Sequence, residues 1–109
     1  MTLDPVERQL LAELKTILRQ RLKGNLRKFV VFGSKARGDA GHTSDLDVAI
    51  VVEGLDRDLR REIFDLIADV ELKHLRVVSA LVYSTKEFDL LLNRERRIAL
   101  DIVREGVHI

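Results

Sequence analysis

The chain has 109 residues, 46% hydrophobic and 34% charged, a balance that excludes disordered and collagen-like classes and predicts one small domain over residues 1–109. Lys+Arg 19 against Asp+Glu 18 leaves a net charge of +1, so the broad basic excess of a nucleic-acid-coating protein is missing. With no cysteine, disulfide scaffolds, thiolate zinc sites and cysteine nucleophiles are excluded.

Asp4, Pro5 and Glu7 open a helix as N-cap, first helical residue and first-turn acid. Val6, Leu10, Leu11, Leu14, Ile17, Leu18 and Leu22 follow at helical spacing, and Gly24-Asn25 ends the run. Phe29 to Phe32 reads as a short strand stopped by Gly33. Residues 33–45 are rich in Gly, Ser and Asp and predict a loop or one short helical turn. Leu46 to Val52 is apolar except for Asp47, the pattern of a central strand covered on both faces. A second helix is expected from about Asp56 to Leu75, with Leu59, Ile63, Leu66, Ile67 and Val70 on one stripe. Arg76 to Tyr83 is a third strand. Ser84 and Glu87 form a capping box for a final helix carrying Phe88, Leu91, Leu92, Ile98, Ile102 and Val103.

The second helix is long enough for a right-handed crossover, so the second and third strands are expected to be parallel. The segment 33–45 holds too many breakers for such a helix, so the first two strands are expected to be antiparallel. The fold class is therefore α/β: a small mixed three-stranded sheet flanked by helices, in the order α-β-α(short)-β-α-β-α. No apolar run approaches the roughly 20 residues of a membrane span. The N-terminus lacks the basic-then-apolar order of a signal peptide, and a cytoplasmic location is expected.

The chemistry concentrates between Gly33 and Asp47. Asp45 and Asp47 bracket one residue at a strand start, so both carboxylates leave one face, their Cα atoms about 7 Å apart. Two like charges on an apolar strand are costly unless a cation offsets them, which points to magnesium or manganese. Gly33-Ser34 ends the preceding strand, where free N–H groups and the Ser34 hydroxyl can cradle a phosphate; Lys35 or Arg37 can add positive charge. A phosphate cradle beside a two-carboxylate metal site suits a magnesium-bound nucleoside triphosphate.

Gly33-Ser34, ten residues, then Asp45-x-Asp47 resembles the signature of the DNA polymerase β-like nucleotidyltransferase superfamily, and most of all its minimal nucleotidyltransferase (MNT) domains. Ala36-Arg37-Gly38, Thr43-Ser44 before Asp45, and a last helix closing on Arg104-Glu105-Gly106-Val107 also fit that pattern. The resemblance implies nucleotidyl transfer, with AMP from ATP passing to an acceptor hydroxyl. It implies Asp45 and Asp47 as catalytic metal ligands, and Gly33, Ser34, Arg37 and Ser44 as nucleotide and phosphate contacts; Arg37 alternatively pairs with Asp39. It further implies the antitoxin half of a toxin–antitoxin pair, with a helical HEPN-type ribonuclease as partner and a tyrosine on it as acceptor. Nucleic acid is a less favoured partner, no membrane partner is expected, and self-association is left open.

One departure bears on activity. Active superfamily members usually bring a third carboxylate from the next strand, but Arg76 to Tyr83 holds no acid, and Ser79 or Ala80 takes that position. One cation would then bind well and a second poorly, which leaves a nucleotide-binding partner without chemistry as the alternative function. Asp39 and Glu53 are lesser candidates for the missing acid. His42 is expected as a solvated loop residue, and His74 and His108 as solvated residues near helix ends.

Overall fold

The structure, a computed structural model, describes residues 1–38 and 45–109. Helix α1 (Pro5–Leu22) starts at a capping box: the Glu7 N–H donates to the Asp4 carboxylate at 2.8 Å and the Asp4 N–H donates to Glu7 at 3.0 Å. A 3-10 turn over Lys23–Asn25 leads into β1 (Leu26–Phe32), followed directly by a five-residue helix α2 (Gly33–Arg37). Strand β2 (Leu46–Val52) is followed by α3 (Arg57–His74), whose N-cap Asp56 accepts from the Leu59 N–H at 2.8 Å. Strand β3 (Val78–Ser84), α4 (Thr85–Asn93), α5 (Arg97–Glu105) and β4 (Val107–His108) complete the order.

The sheet order is β3-β2-β1-β4, with β1 antiparallel to β2 and to β4, and β2 parallel to β3. The antiparallel and parallel pairings expected from connection lengths are both present. The sheet holds four strands rather than three, because a two-residue strand leaves no periodic trace in a sequence. Gly106 makes β4 possible. A Cβ there would stand 2.2 Å from the Ile102 carbonyl oxygen, so only glycine lets the chain leave α5 and return beside β1.

Alternation along β1 and β2 feeds two cores. Val31, Val48, Ile50 and Val52 pack with Leu10, Leu14 and Leu18 of α1 and Ile63 and Ile67 of α3. Val30, Phe32, Ala49 and Val51 pack with Phe88 of α4 and Ala99 and Ile102 of α5. The central strands are thus buried on both faces, as the apolar run of β2 predicts. At about 1.5–3 kcal/mol per buried large aliphatic side chain, these two layers supply the main driving force for folding.

The predicted final helix is in fact two. Arg96 N–H donates to the Leu91 carbonyl at 2.9 Å and Glu95 N–H to that of Leu92 at 3.0 Å, with Glu95 at φ 52°. That is a Schellman ending with glutamate in the left-handed position, where glycine is usual, so composition concealed the break.

Candidate active site

Asp47 is the second residue of β2, paired in register with Phe32 of β1 and Ser79 of β3. Its neighbour Leu46 is buried and anchors the other face of the strand, which forces Asp47 onto the α4/α5 side of the sheet. Asp45, exposed just before the strand, shares that side by alternation. Burial pushes the Asp47 carboxyl above its ordinary range, and the negative charge of Asp45 pushes it further. A hydrogen bond from Ser79 and the positive charge of Arg37 act in the opposite direction.

Gly33 is built against this carboxylate. It sits at φ +72°, and a Cβ on it would lie 2.5 Å from Asp47 Oδ2. Glycine is needed here twice, for the left-handed backbone and for the close approach. The end of β1 therefore presents bare backbone to an acid on the adjacent strand. Half-buried Ser34 follows in α2, whose chain stops at Gly38, left-handed at φ 83°, with its N–H on the Ser34 carbonyl at 3.0 Å.

The two basic residues of α2 have different places. Lys35 and Glu7 are each only 5% exposed, and the Lys35 ammonium meets the Glu7 carboxylate at 3.2 Å. Lys35 thus clamps α2 to α1, and the positive charge acting on Asp47 comes from Arg37 instead. Arg37 pairs with Glu105 of α5 at 2.9 Å, tying α2 to the second helical layer. Sequence reasoning missed both carboxylate partners. Glu7 reads as a capping residue and Glu105 as a helix end, and no local spacing links either to a cation far along the chain.

The pair Asp45–Asp47 fits a hard cation. It offers two carboxylates of which one is partly desolvated and repelled by the other, a cost a divalent ion would remove. Among the described residues no group of three or more His, Asp or Glu is placed to hold a metal. Ser79, not an acid, stands beside Asp47 on β3. Glu53 does not substitute for the missing acid: it lies past the far end of β2 and accepts from the Thr85 hydroxyl at 2.5 Å. His74 is not simply solvated but contacts Glu13 of α1 at 2.6 Å. Ser44, with Asp39 and His42, lies outside the described residues.

The sequence model of the family described as "Nucleotidyltransferase domain" matches residues 11–104. A protein of Methanocaldococcus jannaschii, provisionally named a protein adenylyltransferase, is 33% identical over 87 residues, 80% of this chain and 83% of the relative. A crystal structure of a toxin–antitoxin with AMP-PNP superposes with a TM-score of 0.53 at 19% identity, covering 88% of this chain and 69% of the other. A provisionally named nucleotidyltransferase from Sulfolobus solfataricus covers 99% of this chain and 89% of its own, with a TM-score of 0.48 and 21% identity. The family match spans both strands of the site, the five-residue helix between them and the crossover to β3, and on it the chain belongs to the nucleotidyltransferase domain family.

Proposed function

We propose that this chain transfers AMP from ATP to a hydroxyl on a partner protein, with Asp45 and Asp47 as the metal-holding carboxylates. The observation that carries the reading is the half-buried Asp47 carboxyl, whose pKa is raised by burial and then by the charge of Asp45, and which faces a glycine that leaves it open. Gly33 and Ser34 bind the triphosphate, Arg37 adds charge from α2, and Ser44 completes the phosphate contacts. Magnesium or manganese, when bound, neutralises the triphosphate and makes the α-phosphorus more electrophilic. The acceptor hydroxyl oxygen bonds to the α-phosphorus as the bond to the bridging oxygen breaks and pyrophosphate departs. The hydroxyl proton goes to water, because Ser79 is not a base. The provisional name of the archaeal relative, a protein adenylyltransferase, supports a protein acceptor. A helical HEPN-type toxin is the partner that the MNT resemblance favours, and the fold neighbour is itself part of a toxin–antitoxin structure.

Ser79 at the register position beside Asp47 favours a second reading, a nucleotide-binding partner that neutralises a toxin by contact alone. Calorimetric titration with ATP and magnesium tests the site common to both. Saturable heat that disappears in Asp45→Asn with Asp47→Asn is expected. Absence of saturable heat from the unmodified protein would overturn the nucleotide site, and with it both readings.

A further inference from the structure

A second charged site stands at the other end of β1. Residues 14–38 hold eight Lys or Arg and no Asp or Glu, so the near-neutral total conceals a strongly basic segment. Folding concentrates part of it. Lys15 and Arg19, one helical turn apart on α1, converge with Arg27 and Lys28 of β1 and His108 of β4 around a shallow cup of about 190 Å³. No acidic side chain lines the cup. Lys15, Arg19, Arg27 and Lys28 have no ion-pair partner among the described residues, whereas Arg21, Arg60, Lys73 and Arg76 each have a carboxylate.

The local backbone assembles this cluster. The pairing of β1 with β2 slips by one residue between Leu26 and Lys28, leaving Arg27 as the extra residue of a bulge. Adjacent strand residues ordinarily face opposite sides, but here both Arg27 and Lys28 line the cup. From Lys28 to Gly33 is five residues of strand, about 16 Å, so the cup is separate from the Asp45–Asp47 site.

We infer that this cup and the basic face around it bind the phosphodiester backbone of a nucleic acid. Four unpaired cations in one concavity are costly by mutual repulsion and suit a ligand that brings several negative charges. A protein partner would call for an apolar centre with charge at its margin, but Phe29 in the cup is buried, Leu26 and Ile109 are only partly exposed, and the charged side chains of the lining are all cationic. His108 is the one exposed ring in the cup, too few to stack successive bases, so binding is expected to be indifferent to sequence. This inference does not rest on the nucleotidyl-transfer reading.

Fluorescence anisotropy with a fluorescein-labelled, mixed-sequence 20-nucleotide single-stranded RNA tests it. Binding is expected to weaken with salt at a log–log slope of about −2 to −3, as contact with three or four phosphates requires. Lys15→Glu with Arg19→Glu, and separately Arg27→Gln with Lys28→Gln, should each lower affinity at least tenfold at low salt. Circular dichroism melts confirm that each variant is folded; the neutral pair serves if the reversed pair is not. Arg57→Glu with Arg61→Glu on α3 should change affinity less than threefold, and Asp45→Asn with Asp47→Asn should not weaken it. Equal loss in the α3 control, no loss in the cup variants, or competition by polyglutamate as strong as by unlabelled RNA would overturn the inference. The last result would assign the face to an acidic protein.

Discussion

Gly33 and Asp47 stand in direct apposition at the centre of the proposed site. Gly33→Ala places a methyl group 2.5 Å from Asp47 Oδ2 on a left-handed backbone. A loss of about 1–3 kcal/mol of stability is expected in urea denaturation, together with loss of ATP–magnesium heat. Asp47 itself works against the fold. Because its folded-state value is raised, the protonated form is the one the fold favours. That contribution is complete below the ordinary value of 3.8 and is lost as pH rises through the raised value. Asp47→Asn should therefore melt at a higher temperature than the unmodified protein at pH 7, with the difference shrinking toward pH 3, while its ATP–magnesium binding disappears. A variant less stable at pH 7 would contradict the assignment of Asp47 as a residue kept for function at a cost in stability. The sequence made these two residues legible through the spacing of Gly33-Ser34 and Asp45-x-Asp47. The direct apposition of Gly33 and Asp47 was not legible, since it follows from the β1–β2 register.

Among the elements, short α2 owes its position to charged side chains rather than to its own length. Five residues cannot hold a helix alone, and the Lys35–Glu7 pair, the Arg37–Glu105 pair and the Thr2 N–H on the Lys35 carbonyl at 2.8 Å fasten it from three sides. Lys35→Met strands a buried carboxylate and should cost about 3–5 kcal/mol in denaturant unfolding. Adding Glu7→Gln, which keeps the capping-box acceptor, should restore most of that loss. The gap between α4 and α5 gives a test of opposite sign. Glu95→Gly relieves a left-handed glutamate and should stabilise by up to about 1 kcal/mol. Long amphipathic α1 and α3, and the doubly buried β2, were readable from periodicity and caps. The α4–α5 break and β4 were not: a glutamate occupied the position where glycine signals a stop, and two residues are too few to show a period.

At the scale of the whole molecule, the two ends of β1 carry opposite chemistry. Its C-terminal end meets the carboxylates of β2, and its N-terminal end lies in a basic face. Net charge argued against a nucleic-acid partner because it averaged an acid-free stretch with an acid-rich remainder. Where the charges fall in the fold, not their sum, shapes what the surface attracts. No described helix is long and apolar enough to cross a membrane. The family assignment sets the reaction class, and the MNT pattern of Gly33-Ser34 and Asp45-x-Asp47 had already pointed to it from sequence. In the proposed reading the transfer is slow, because Ser79 and not an acid stands beside Asp47 on β3. The most direct test uses ATP labelled either at the α- or at the γ-phosphate, with magnesium, the protein and a candidate helical partner. Label from the α-phosphate should appear on the partner, slowly, with release of pyrophosphate, and should vanish in Asp45→Asn with Asp47→Asn. Transfer of the γ-label, or α-label transfer undiminished in that double variant, would contradict the account.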